Sequence, residues 1–358
     1  MHRHRLDSVL HRMAEADLSQ MVVADPAALF YLTGTWMRPG ERMLALLLTR
    51  TRPPTLFVNA LFVIPIDLGA DTVWFTDTDD GAAILARYVD PTRPLGIDKN
   101  WPARFLLRLM ELSAASRFVN ASALVDGARM HKDEQERAAM RVASALNDQA
   151  MGRLLTRLPD RPSEQQLARA LAGIYDDLGA DGVAFDPIIA YGPNAAEGHH
   201  VPCDRRLSEG DAVVLDIGCT KDSYCSDMTR TVFYRRASAE ARTVYGIVLE
   251  AQAKAIARVR PGVRFCDIDA AAREHIEAAG YGRGFTHRTG HAIGLEVHDP
   301  GDVSAANRDR LQPGMVFSVE PSIKIPGAFG VRIEDLVLVT DDGCEVLNRY
   351  DKQLTIVE

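Results

Sequence analysis

The chain has 358 residues, 47% of them hydrophobic and 25% charged, with a formal net charge of -8. Length and composition suit two ordinary globular domains with sizeable cores. The acidic balance gives no electrostatic reason to expect nucleic acid or an anionic membrane as partner, and no run approaches the ~20 apolar residues of a membrane span.

The basic opening MHRHRLDSVLHRM is interrupted by Asp7 and followed by Glu15, with no apolar run behind it. Leu6, Val9, Leu10 and Met13 therefore predict the packed face of an opening helix rather than a targeting peptide. To about residue 125 the chain alternates strand-like runs (MVVA, RMLALLLT, TLFVN, VWFT) with helical ones near 79–90 and 102–113. Pro53-Pro54, Pro91 and Pro94 mark the turns. This predicts a small α/β domain without a metal-ligand cluster of its own.

From His131 the texture changes. HKDEQERAAMRVASALNDQAMGRLL predicts a long helix with acids at its start, where the helix dipole favours them. Ser163 and Gln166 predict a capping box that opens a second helix to Leu178. Strand-like PIIAYG, AVVLDIG and SDMTRTVFY follow, then helices over about 238–259 and 267–279, then a strand-rich end. The boundary falls between about 120 and 131, giving domains 1–125 and 126–358, without repeats or low-complexity tracts. Cys203, Cys219, Cys225, Cys266 and Cys344 form no CxxC pair and, with no export signal, predict reduced thiols of a cytoplasmic protein.

Five residues of the second domain carry chemistry. In AVVLDIG, strand alternation puts Asp216 on the face of Val214 and Gly218, away from Val213, Leu215 and Ile217. Asp227 follows across a turn containing Lys221-Asp222-Ser223, and two antiparallel strands joined there bring both carboxylates to one site. His291 follows Gly290 ahead of an apolar run, and Glu320 sits between FSV and Pro321. Glu334 lies inside VRIEDLVLV, where an unpartnered acid is strongly destabilising. Each has a structural explanation alone: a hydrogen-bonded buried acid, a satisfied core histidine, a strand-end carboxylate. Together they do not, because separate β-segments each carry an unexplained acid. Carboxylates buried together cost several kcal/mol per uncompensated ion. Two divalent cations remove that cost, and the imidazole completes a mixed O/N ligand set. The residues by themselves indicate a two-metal hydrolase.

In chain order, LDIG, SDMTRT, HRTGHAIGLEVHD, FSVEP and VRIED resemble the pita-bread metallopeptidases, specifically their proline-specific branch of prolidases and Xaa-Pro aminopeptidases. The resemblance runs from about 131 to 350, and FYLTGTWMRPGERMLALLL resembles the N-terminal segment of short bacterial prolidases. It implies an α+β fold, with a pita-bread (creatinase/aminopeptidase-like) catalytic domain and a smaller α/β N-terminal domain. It implies Asp216 on one metal ion, Asp227 and Glu334 bridging, and His291 with Glu320 completing the second. A water between the ions is then acidified toward hydroxide. Oxygen-rich ligands with one imidazole suit Mn²⁺ first, with Co²⁺ and Zn²⁺ as alternatives. The implied substrate is an Xaa-Pro dipeptide, and the implied assembly a homodimer.

The resemblance also assigns residues to the substrate. His298 hydrogen-bonds the scissile carbonyl or the tetrahedral intermediate, stabilising developing charge. His199, five residues past Asn194, lines the proline side, with neighbouring His200 a weaker candidate. His287 matches a position near the site, and Tyr224 one where an aromatic flanks the metal pocket; the alternative for Tyr224 is a packed core tyrosine. Arg332 orients the bridging carboxylates or clamps a substrate carboxylate; the alternative is a structural ion pair with a nearby acid. Glu320 moves the proton to the leaving proline nitrogen. An Xaa-Pro bond has no N–H, so a site that reads the pyrrolidine by shape suits it. One departure stands out. Where some prolidases carry an arginine after the second histidine, this chain has HDPGDVS with Asp302, while Arg38 precedes Pro39 where an acid is usual. The exchange of signs suggests Arg38, or Arg42, as the replacement cation, supplied by this chain or a second subunit; the alternative is a solvated loop arginine.

Other hydrolase signatures are absent: no GxSxG, no HExxH, no Walker loop, and no GxGxxG in a dinucleotide context. The alternatives are an Xaa-Pro aminopeptidase for longer peptides and a non-catalytic peptide-binding module on the same fold. Creatinase-like hydrolases lack the metals, and methionine aminopeptidases generally lack the N-terminal domain. An organophosphate side activity remains compatible with such a site.

Overall fold

Residues 1–65 and 68–358 are described by the computed structural model. They form two compact units, Met1–Arg129 and Met130–Glu358.

The first unit is built on a six-stranded mixed sheet. Its order is Asp71–Phe75, Thr55–Asn59, Leu44–Thr49, Gln20–Val23, Pro94–Ile97, Arg117–Asn120. The three central strands Thr55–Asn59, Leu44–Thr49 and Gln20–Val23 are buried along their whole length. That is why they read as unbroken apolar runs instead of alternating ones. Leu85 and Leu109, from the helices Gly81–Ala86 and Ala103–Glu111, join Val22, Ala45, Leu47 and Phe57 in one core. The opening helix Arg3–Glu15 buries Leu6, Val9 and Met13 and packs on the helices Pro26–Thr33 and Ser122–Arg129.

In the second unit the helix Glu134–Leu155 begins with a capping box, Asp133 with Glu136, and Glu164–Leu178 begins with the predicted one, Ser163 with Gln166. This pair packs on Ile189, Val213, Leu215 and Ile217. A second pair, Ala239–Ile256 and Phe265–Ala278, packs on Phe317, Val319, Val331 and Val337. Strands thus lie between two helix pairs, with polar side chains collected where the strands meet. The strand Ala212–Ile217 runs antiparallel to Met228–Tyr234, with Asp216 opposite Thr229. Val316–Val319 runs antiparallel to Asp335–Val339, and Ser322–Ile325 to Phe329–Arg332.

Candidate active site

Strand alternation sorts Asp216 from its neighbours. Val213, Leu215 and Ile217 enter the helix-packed core, while Val214 packs with Ala190 and Ala195 on the face that Asp216 shares. Asp227 sits one residue before the partner strand. His291 is carried by the short strand Gly290–His291, and a Cβ at position 290 would lie 1.8 Å from the Ser318 carbonyl oxygen. Only glycine admits that approach. It brings His291 onto Ser318, whose Oγ accepts from the His291 amide at 3.0 Å and donates to Glu320 Oε1 at 3.1 Å. Glu334 follows the strand Phe329–Arg332, and Thr229 Oγ1 donates to its Oε2 at 2.6 Å.

These five side chains share one cavity of about 450 Å³, within the roughly 300–1,000 Å³ usual for small-molecule sites. Ligand atoms of Asp227, His291 and Glu334 lie within 4.8 Å of one another. His291 Nε2 is 3.6 Å from Asp227 Oδ2 and 3.4 Å from Glu320 Oε1. Asp216 Oδ1 and Asp227 Oδ1 are buried without a hydrogen-bond donor among the described residues, and unsatisfied buried carboxylate oxygens are costly.

The electrostatics point the same way. Burial, then the charges of Glu334, Asp216 and Glu320, pushes Asp227 well above the usual carboxylate range. Burial, then Glu320 and Asp216, does the same to Glu334. Burial raises Glu320 to about 7 although Arg332 pulls the other way. Burial lowers His291 to about 4, leaving a neutral imidazole with a lone pair to give. Crowded acids that hold protons for want of positive charge, beside a neutral imidazole, are a donor set that fits divalent cations.

The other residues singled out from the sequence divide. His199, His287, His298 and Arg332 line the same cavity. The His298 ring meets that of His291 edge-on, with centroids 4.3 Å apart. Desolvation, then His291 and Arg288, lowers His298 to about 4. His287 is a positioned group: its Nε2 is 2.6 Å from Ser322 Oγ and its Nδ1 2.7 Å from the Arg288 carbonyl. Arg332 is buried and ion-paired with Asp216; it donates through Nε to Thr229 Oγ1 at 3.0 Å and through Nη1 to the Gly198 carbonyl at 3.4 Å. His200 lines the cavity too, but its Nε2 is held 2.7 Å from Glu164 Oε2. Cys203 also donates to Glu164, through N at 3.0 Å and Sγ at 3.1 Å. Although burial works in the opposite direction, these bonds keep Glu164 below its ordinary value. Tyr224 is not among the cavity residues; it is buried, with its hydroxyl donating to Glu136 Oε1 at 3.0 Å. Arg38 lies on an exposed loop of the first unit, and Arg42 is committed to Asp77 by two bonds of 2.8 and 2.9 Å.

Several residues escaped the sequence reading. Ser318 ties His291 to Glu320 and Thr229 ties Glu334 to Arg332, and their signal was available: Ser318 stands two residues before Glu320 and Thr229 two after Asp227. Lys324 and Arg288 also line the cavity.

An α+β unit of this kind, built around a buried carboxylate–imidazole cluster, is that of a metallopeptidase. Residues 138–341 match the model of metallopeptidase family M24, and residues 5–131 that of the Creatinase/Prolidase N-terminal domain. An uncharacterized peptidase of Staphylococcus aureus is 31% identical over 97% of this chain and 99% of its own length. Among solved structures, dipeptidase PepE from Mycobacterium ulcerans superposes with a TM-score of 0.93 at 34% identity, covering 99% of this chain and 97% of its own. Recombinant prolidase from Thermococcus sibiricus gives 0.92 at 32%, covering 100% and 99%. The chain belongs to metallopeptidase family M24, with the creatinase/prolidase type of N-terminal domain, and has the pita-bread fold expected from its motifs. Family membership implies divalent metal ions. No helix among the described residues is long and apolar enough to cross a membrane.

Proposed function

We propose that this metallopeptidase hydrolyses Xaa-Pro dipeptides with the aid of two divalent cations, Mn²⁺ before Co²⁺ or Zn²⁺, held by Asp216, Asp227, His291, Glu320 and Glu334. The observation that carries the reading is the convergence of Asp227, His291 and Glu334 within 4.8 Å in a cavity shared with Asp216 and Glu320. The dipeptidase and prolidase named among the structural neighbours support the substrate class. Bound cations supply Lewis acidity, polarising a carbonyl and acidifying water. The protein's own groups do the rest. Arg332 holds Asp216 in place. His298, neutral near pH 7, turns an N–H toward the oxygen that gains charge as the carbonyl is attacked. Glu320 passes a proton to the proline nitrogen as the C–N bond breaks. His199, with the apolar walls Phe185, Ile188 and Val201, receives the pyrrolidine.

A homodimer and a cytoplasmic location complete the proposal; all five cysteines are free, as a reducing compartment requires. The test is a metal-replete assay with Ala-Pro, Ala-Pro-Ala and Met-Ala. Cleavage of Ala-Pro alone is expected. Cleavage of Ala-Pro-Ala as well makes the chain an aminopeptidase, and inertness to all three with Mn²⁺ present makes it a binding module.

A further inference from the structure

The sequence suggested a missing cation for the substrate's carboxylate and looked for it in the first unit. The second unit supplies one from an unexpected strand. In Ser322–Ile325, Ile323 is fully buried in the apolar core, so alternation turns Ser322 and Lys324 to the opposite face. Ser322 meets His287 there, and Lys324 lines the cavity. Lys324 is half-buried, yet its ammonium has no hydrogen-bond or ion-pair partner among the described residues. Its place is carved out by a glycine. A Cβ at position 198 would lie 2.5 Å from Lys324 Nζ, so the ammonium rests against the backbone next to His199.

We propose that Lys324 binds the free carboxylate of the dipeptide's C-terminal residue and so confines hydrolysis to substrates that end there. This rests on the Xaa-Pro reading above. With the peptide amine and scissile carbonyl at the acid cluster, the second residue extends toward His199, and its carboxylate meets the ammonium beside Gly198. Charge balance agrees. Two divalent cations offset the four carboxylates of Asp216, Asp227, Glu320 and Glu334, which leaves Arg332 and Lys324 as positive charges, and of these Arg332 is already hydrogen-bonded to Asp216, Thr229 and Gly198. Lys324 is then a surplus positive charge in a partly desolvated wall, where an anion is held more strongly than at an exposed site. Burial, then Arg332, lowers the Lys324 pKa, the direction expected of an ammonium awaiting a counter-ion. Arg288 is the competing cation, but it is exposed. A tripeptide places an amide, not a carboxylate, against Lys324, and forfeits the charge-assisted bond.

The experiment crosses residue with ligand. Wild type, Lys324→Met and Gly198→Ala are assayed on Ala-Pro and on Ala-Pro amide, with metal content and thermal midpoint measured on each protein. Wild type is expected to favour the acid in kcat/KM. Lys324→Met should raise KM for Ala-Pro about ten- to a hundredfold, change kcat far less, and leave the amide's KM as it was. Gly198→Ala, which keeps the lysine but crowds its ammonium, should move the same constants in the same direction. Lys324→Arg should recover part of the affinity. Equal losses on acid and amide overturn the proposal, as does retention of acid preference in Lys324→Met. Loss of that preference in Arg288→Met or Arg38→Ala, with Lys324→Met unaffected, assigns the carboxylate elsewhere. If Lys324→Met fails to fold, Gly198→Ala decides alone. Cleavage of Ala-Pro without discrimination from its amide overturns Lys324 while leaving the prolidase reading intact; wild type inert to both overturns both.

Discussion

Glu320→Gln should stabilise the metal-free protein at alkaline pH and leave it unchanged in acid. Burial raises the Glu320 carboxyl from 4.5 to about 7 in the folded chain. Between those values the native state holds a proton that the unfolded state has released. Stability therefore falls as pH rises through the window. At about 1.4 kcal/mol per pH unit the loss is about 3 kcal/mol, complete above pH 7. Glutamine keeps the shape and never ionises, so it escapes the loss. Thermal unfolding of chelator-treated protein should show the two matched near pH 4.5 and the variant ahead by about 6–12 °C at pH 8, using 2–4 °C per kcal/mol for a unit of this size. Adding Mn²⁺ should invert the order, because cations stabilise whichever form binds them tighter, and an amide oxygen is the poorer ligand. A difference that stays constant with pH, or a variant that gains as much from Mn²⁺ as wild type, refutes the reasoning.

Asp227→Asn removes a buried carboxylate from the centre of the cluster. Elemental analysis should show lost metal stoichiometry, and activity should fall at least a hundredfold or so, beyond the roughly 10- to 100-fold usual for groups that only support ligands. His298→Gln should lower kcat by about 10²–10³ with metal content intact. Since His298 is held near 4, its loss should not reshape the pH–rate profile between pH 6 and 8. Lys132→Met removes the ammonium from a buried ion pair with Asp299, 3.2 Å apart, beside His298. Denaturant unfolding should register a cost of about 3 kcal/mol or more, larger than any change in metal content.

The acid cluster was legible because its residues break local rules. Asp216 interrupts an apolar strand, Glu334 falls between two apolar strands, and Gly290 stands where a side chain would strike Ser318. The helix Pro26–Thr33 was missed although its signals were all present: Asp25 caps it, Pro26 fills its first turn, and Gly34 closes it at φ 73°. The apolar letters around it simply do not alternate with polar ones, since the helix is buried nearly all round. The strands Pro94–Ile97 and Arg117–Asn120 were missed for the opposite reason: they are short, and one opens with proline and contains glycine.

What no local rule carried is the partnering of distant strands. Tyr224 stands three residues before Asp227, yet the turn of the hairpin sends its hydroxyl to Glu136 in the first helix of the unit. Arg332 finds Asp216 only because their strands come together, and one hydroxyl, Thr229 Oγ1, then serves both Glu334 and Arg332. Ser318 similarly joins His291 to Glu320. Asp216, Arg332, Thr229 and Glu334 are thus linked in one chain and His291, Ser318 and Glu320 in another, so a displaced strand disturbs several of these side chains at once. Lys324 carries no local signal of its own: its direction is fixed by Ile323, buried in the core, and by the space left at Gly198 across the cavity, which is far from it in sequence. The acids and the imidazole of the cluster stand in short words of the sequence, while the charges around them are set by which words the fold brings side by side.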